Sequence, residues 1–247
     1  MKGIIALDID GTITKERHHI HQKIVDFLNN LINSDYHLIF ITGRTFSFAK
    51  PVFKDLVGPF YLGVQNGAAL YEMPSEKQLA KHYLSRDVLG DLDRFFSAIK
   101  RPLMIESGKE RDDLCYYRPK DFKKEDLPYI ELRKTLSLAP WQAVESFSEV
   151  QLEEFAVGKF FAGKDEAYGI AEELTDELDF NVIVINDAFK PGSLLAHINR
   201  KDASKGRILR EFRKKMGESL PVIAAGDDYN DLAMLMESDV KVVMEDA

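Results

Sequence analysis

One cysteine in 247 residues, Cys115, leaves no internal disulfide to staple the chain, and no Cys/His spacing suggests a zinc site. No apolar run approaches bilayer length, and the N-terminus carries no signal-peptide pattern. The formal charge is -8 and no basic block offsets it, which argues against a nucleic-acid surface. There is no internal repeat and no low-complexity linker. AGKDEAYG (162–169) lacks the GxxxxGK[ST] spacing of a nucleotide P-loop. What remains is an ordinary globular composition, 45% hydrophobic and 30% charged, in a chain long enough for one large domain or two modest ones. A cytoplasmic protein is expected, working as a monomer or dimer on a small molecule, with neither nucleic acid nor membrane as partner.

The chain opens with an apolar run, IIAL, that ends in two aspartates one residue apart, LDIDGT (7–12). An apolar run of this kind suits a strand buried on both faces, as in parallel sheets. Side chains alternate along a strand, so Asp8 and Asp10 are expected to point the same way where it ends. Two carboxylates on one side repel unless a cation or a proton lies between them.

Helical periodicity over 22–34 follows, then strands at 36–42 and 60–64, with a short helix from Thr45 interrupted near Pro51. The order predicts a parallel sheet. The same grammar returns near the C-terminus: helix ASKGRILREFRKKMG, strand PVIAAG, helix NDLAMLMES, strand VKVVM. Between them the segments read helix (86–100), strands PLMIES and LCYYRP, helix (125–137), strands QAVES and EEFAVGKFFAG, helix DEAYGIAEELTDEL and strand NVIVI. Adjacent strands without intervening helices predict an antiparallel sheet with helices on one side. The expected fold class is therefore α/β, a Rossmann-like parallel-sheet core formed by residues 1–83 and 191–247, with an α+β insert at 84–190.

Ligands of an open parallel sheet bind beyond the carboxyl ends of its strands. Four polar groups fall at such ends or at helix starts: Asp8-x-Asp10-Gly11-Thr12, Thr42-Gly43-Arg44, Lys205-Gly206, and Gly226-Asp227-Asp228-Tyr229-Asn230-Asp231. Each alone has an ordinary explanation, as turn, solvated lysine or helix cap. All four in this order do not.

LDIDGTIT, ITGR, SKG and GDDYND resemble, in order, the four signature motifs of the haloacid dehalogenase-like phosphohydrolases. The insert resembles the type-two α/β cap of the Cof-type, sugar-phosphatase-like members. QNGA (65–68) looks like the point where those members leave the core, and HINRKDASKG like their return segment. The resemblance implies a magnesium-dependent phosphatase acting on a small phosphorylated metabolite, a sugar phosphate above all. Asp8 becomes the nucleophile that forms an aspartyl-phosphate, and Asp10 the general acid and then base. Asp8, the Asp10 carbonyl, Asp227 and Asp231 are the implied ligands of Mg²⁺. Thr42, Gly43, Lys205 and Asn230 are the implied phosphate binders, and Asp228 is left a structural part. Arg44, Asn66, Arg118 and His197 are candidates for the substrate, with a core carboxylate as the alternative partner of Arg44.

The sequence departs from the family where His197 replaces a frequent Glu, and where Arg200 and Asp202 replace Pro and Gly. It also stops at VVMEDA, where relatives commonly read VAMGNA and continue, so a short or truncated core is expected. The His18, His19 and His21 cluster reads as a solvated loop rather than a metal site. Rival readings are a phosphomannomutase-like mutase and a non-catalytic phosphate-ligand-binding regulator of the same fold. A receiver domain lacks its phospho-acceptor here, and an Asp-x-Asp glycosyltransferase has no need of Lys205 and GDDYND.

Overall fold

The computed structural model describes residues 1–15, 19–187, 189–190 and 192–245. His18 and the final two residues lie outside that set. The chain runs β1 (Gly3–Leu7), α1 (Gln22–Asn33), β2 (Tyr36–Ile41), α2 (Phe46–Ala49), β3 (Phe60–Val64), β4 (Ala69–Met73), β5 (Lys77–Lys81) and β6 (Leu84–Ser85). It continues through α3 (Leu89–Ala98), β7 (Met104–Glu106), β8 (Cys115–Tyr117), α4 (Leu127–Leu136), β9 (Trp141–Ala143), β10 (Glu154–Phe155), β11 (Val157–Ala162), α5 (Lys164–Leu178), β12 (Phe180–Asn186) and β13 (Leu194–Arg200). The last elements are α6 (Lys205–Met216), β14 (Val222–Gly226), α7 (Leu232–Met236) and β15 (Val240–Val243). No described helix is long and apolar enough to cross a membrane.

The chain forms two compact units. One comprises Met1–Arg44, Ala49–His82 and Asp202–Ala247; the other comprises Thr45–Phe48 and Tyr83–Lys201.

The first unit is a seven-stranded sheet in the order β15-β14-β1-β2-β3-β4-β5. The five strands from β15 to β3 are parallel, as their apolar runs predict. β4 and β5 add an antiparallel edge that the sequence reading did not assign. KQLAK in β5 is mostly polar and half-exposed, so no apolar run marks it. One face of the sheet packs Ile4, Ala6, Ile39 and Ile41 against Ile208, Leu209 and Phe212 of α6 and Met234 of α7. Phe40, Phe53 and Phe60 cluster with ring centroids 4.2 to 5.7 Å apart.

The second unit holds a six-stranded sheet, β12-β13-β11-β7-β8-β9, and a small β6–β10 pair. Three details correct the sequence reading. β8 and β9 pair in parallel, because α4 carries the chain back between them. Helices lie on both faces: Ile105, Phe160 and Ile198 pack with α3 and α5, whereas Met104, Cys115 and Tyr117 pack with Ile130 of α4. Finally, residues 194–200, assigned by sequence to the core, form β13 between β11 and β12 of this sheet. LLAHINR hides the strand because polar His197 and Asn199 interrupt its apolar run, although both are buried.

Candidate active site

Chain order reverses at β1, with β2 and β3 on one side and β14 and β15 on the other. Such a switch point opens a crevice at the carboxyl ends of the strands. Register sets Leu7 opposite both Ala225 and Phe40, so Asp8, Thr42 and Asp227 arrive at that end together. Asp8 continues the ladder by donating its N–H to the Ala225 carbonyl at 3.0 Å.

Lys205, the first residue of α6, is buried and donates to Asp8 Oδ1 at 2.5 Å and to Asp231 Oδ1 at 2.6 Å. Two of its three ammonium donors are thus engaged with carboxylates. Burial works against the charged ammonium, but the two carboxylates prevail and hold its pKa above the ordinary value. Burial pushes the Asp8 carboxyl up to about 7; Lys205 opposes that shift and Asp231 adds to it.

Asp231 orders the turn after β14. Its Oδ2 accepts the N–H groups of Asp227 (3.0 Å) and Asp228 (3.1 Å). Asp228 caps the same turn by accepting the Tyr229 N–H at 2.7 Å, the structural part expected of it. Thr12 donates to Asp227 Oδ1 at 2.9 Å, a contact that sequence reasoning missed. Gly11 makes the approach of the two loops possible: at φ +79°, any Cβ there would stand 2.0 Å from Asp227 Oδ2. Burial, the larger cause, and Asp231 raise the Asp227 pKa, while the Thr12 bond lowers it.

Asp8, Asp227 and Asp231 each offer one carboxylate oxygen within 4.8 Å of the others. Three carboxylates around a single ammonium leave an excess of negative charge on an all-oxygen donor set. That chemistry fits a hard divalent cation.

Asp10 lies apart from this group. Its exposed carboxylate is held at two points by Arg44, Nε to Oδ2 at 2.8 Å and the terminal nitrogen to Oδ1 at 2.5 Å. Arg44, expected by sequence on the substrate or on a core carboxylate, is bound to the second aspartate. Thr42 Oγ1 accepts the Arg44 N–H at 3.1 Å, which leaves the hydroxyl hydrogen as a donor. Asn66 is fully buried in the left-handed region (φ 58°) and donates its N–H to the Thr42 carbonyl at 2.9 Å. Asn230 donates to Asn66 Oδ1 at 3.3 Å. Asp8, Asp10, Thr42, Gly43, Arg44, Asn66, Lys205, Asp227, Asn230 and Asp231 all belong to the first unit.

Arg118 and His197 belong to the second. Arg118 pairs with Asp93 and Asp121, both at 2.6 Å, and stacks 4.6 Å from the centroid of the Phe147 ring. Its guanidinium is committed to that unit's own packing. His197 is buried opposite Lys159 on the six-stranded sheet. Burial first, then the Lys159 and Arg133 cations, push its pKa well below the ordinary value, so the imidazole is neutral at pH 7. Lys159 itself donates to Glu106 Oε1 at 2.6 Å in a buried pair. Of the histidine cluster, His21 caps α1 by accepting the Lys23 N–H at 3.3 Å.

Comparison with known proteins shows the family and the fold. A glucosyl-3-phosphoglycerate/mannosyl-3-phosphoglycerate phosphatase of Persephonella marina is 24% identical over 251 residues, 98% of this chain and 84% of that one. A pyridoxal phosphate phosphatase of Escherichia coli is 24% identical over 261 residues, 99% and 88% respectively. A Buchnera aphidicola relative matches locally, 30% identical over 73 residues, so this chain spans 27% of its length. Among solved structures, a haloacid dehalogenase-like hydrolase from Bacillus subtilis superposes with TM-score 0.79 at 19% identity, covering 100% of this chain and 90% of that one. The subclass IIB sugar phosphatase BT4131 does so at 0.72 and 18%, covering 99% and 88%. The profile of haloacid dehalogenase-like hydrolases matches residues 5–247, and the chain belongs to that family.

Proposed function

We propose that the protein is a phosphomonoesterase that cleaves a small organic phosphate, a sugar phosphate being the class best supported. The observation that carries this reading is the Asp8–Lys205–Asp231 constellation beside Asp227 at the switch point of the sheet. In this reading Asp8 attacks phosphorus and forms an aspartyl-phosphate as the ester P–O bond breaks. Asp10, aimed by Arg44, gives its proton to the departing alkoxide. It then takes a proton from the water that cleaves the acyl phosphate, which returns Asp8 to a carboxylate. Thr42, the Gly43 backbone, the third Lys205 donor and Asn230 hold phosphoryl oxygens.

Mg²⁺ suits the Asp8, Asp227 and Asp231 oxygens, with the Asp10 carbonyl added by family likeness, and would offset the negative charge of the phosphate. The insert takes the part of a cap that selects the organic portion of the substrate. The sugar-derived phosphates named for the Persephonella enzyme, and the sugar phosphatase among the structural neighbours, support that class. A single cysteine and an acidic chain suit the cytoplasm.

The test is phosphate release from a panel of sugar, polyol and other small organic phosphates, with Mg²⁺ and then with EDTA. Release should need the metal and favour one or two substrates, and Asp8→Asn should lower it by about 10³-fold or more while the protein stays folded. Full activity in Asp8→Asn would sink the reading. Isomerised sugar phosphate with little free phosphate would turn it into a mutase.

A further inference from the structure

Three residues in succession, Gln65, Asn66 and Gly67, hold positive φ angles of 51°, 58° and 94° directly after β3. Glycine adopts that conformation freely and asparagine tolerates it, but for glutamine it is costly. Gln65 and Asn66 are completely buried as well, so the surroundings hold the turn in place.

Each residue of the turn meets a different part of the phosphate site, and all of these parts belong to the first unit. Gln65 donates its N–H to the Arg44 carbonyl at 2.8 Å, and Asn66 donates its own to the Thr42 carbonyl at 2.9 Å. The turn therefore grips the Thr42-Gly43-Arg44 segment on both sides of Gly43. Gly67 lies against the residue before Lys205: a Cβ there would stand 2.3 Å from the Ser204 carbonyl oxygen. Ser204 caps α6 by accepting the Arg207 N–H at 3.1 Å, so this contact reaches the start of the helix that carries Lys205.

The Asn66 side chain completes the set. Its Oδ1 accepts from Asn230 Nδ2 at 3.3 Å and would stand 3.2 Å from a Cβ at Gly43. An amide nitrogen carries two hydrogens, so this bond orients the Asn230 amide and leaves its second hydrogen for another acceptor. We infer that Asn66 is a positioning residue for phosphate: through Asn230, and beside Gly43, it sets the spacing of the groups that receive the phosphoryl oxygens. The organic part of the substrate is not its partner. The inference rests on the reading of Thr42, Gly43 and Asn230 as phosphate binders.

Asn66→Gly isolates the side chain, because glycine keeps the left-handed turn and the N–H that the Thr42 carbonyl accepts. Binding of inorganic phosphate in Mg²⁺, followed by calorimetry, should weaken about 5- to 30-fold. KM should rise by one common factor across the substrate panel, with kcat changed less than about 3-fold. Asn230→Ala should weaken phosphate binding to a similar extent, and the double variant should lose little more than either alone. A rise in KM that differs from substrate to substrate would put Asn66 on the organic part. A smaller active fraction with phosphate binding unchanged would make its role merely structural, and additive losses would break the link to Asn230. Each of these overturns the inference. Phosphate binding indifferent to Asn230→Ala overturns the reading of Asn230 and the inference with it; indifference to Asn66→Gly alone overturns only the inference. If Asn66→Gly does not fold, Asn66→Asp keeps the turn and the acceptor but sets a carboxylate beside the dianion. Phosphate binding should then weaken about 10-fold or more, and unaltered binding would overturn the inference.

Discussion

At the scale of single residues the site is governed by buried charge. Lys205 stands between Asp8 and Asp231 with almost no solvent access, so Lys205→Met leaves two buried carboxylates without their counter-ion. Breaking such a group costs about 3–5 kcal/mol. If Mg²⁺ binds the same carboxylates, it should recover part of that loss, and the drop in Tm should be larger in EDTA than in Mg²⁺. Equal drops would place the cation elsewhere. Asp113 offers a separate test. Burial, reinforced by Glu106 and opposed by Ser47 and Lys159, pushes its carboxyl up to about 6. The folded state then holds a proton that the unfolded state releases, so this group's contribution to stability falls as pH rises from near 3.8 to about 6. Asp113→Asn keeps the acceptor without the charge. It should be more stable than the parent by about 2–3 kcal/mol above pH 6, with the advantage vanishing near pH 4; an advantage independent of pH would contradict the assignment. Asp8, Thr42, Lys205, Asp227 and Asp231 were legible in the sequence because each follows an apolar run or starts a helix. Thr12 with Asp227 and Ser47 with Asp113 were not assigned, and Arg44 was assigned to the substrate or a core carboxylate without Asp10 being named. Pairings between distant side chains leave no periodic trace.

At the scale of elements, α6 ties Lys205 to the core. Alanine normally stabilises a helix relative to glycine by about 1 kcal/mol. Gly206 reverses that rule: a Cβ there would stand 2.4 Å from the Ala233 carbonyl oxygen, a backbone atom with little room to yield. Gly206→Ala should cost about 1–3 kcal/mol, read as a lower urea midpoint at unchanged m. It should also lower turnover, since Lys205 is the adjacent residue. A stabilised variant would mean that α6 and α7 do not meet as closely as described. The same element shows why some of the fold was readable. Its apolar residues Ile208, Leu209 and Phe212 recur on one face, and β1, β2, β3 and β14 are apolar runs with breakers behind them. The β4–β5 edge, β13 and the position of α4 escaped for local reasons. β5 is half-polar, β13 buries His197 and Asn199, and α4 contributes only Ile130 as a fully buried side chain. Hydrophobic pattern reads burial in oil; β5, β13 and α4 bury polar atoms or very little, whereas β4 buries Ala69, Leu70, Tyr71 and Met73 and was not assigned although its run is apolar.

At the scale of the whole chain, each unit has its own apolar core: Ile4, Ile39, Phe212 and Val222 in one, Phe96, Phe155, Phe160 and Ile198 in the other. Apart from the short excursion of Thr45–Phe48, the chain passes between the units after His82 and again after Lys201. Both ends are secured on α6 by one ionic chain, in which Glu211 takes His82 at 2.8 Å and Arg207 at 2.7 Å, and Arg207 also pairs with Asp202. Separate cores predict separate responses to core damage. The single tryptophan, Trp141 on β9, reports on the second unit, while amide exchange in β1, β2 and β14 reports on the first. Phe212→Ala should lower the exchange free energy of those strands by about 3–5 kcal/mol and move the Trp141 fluorescence midpoint less. Phe160→Ala, packed against Phe96 at 5.3 Å, should do the reverse. If both probes move together in both variants, the chain unfolds as one cooperative body.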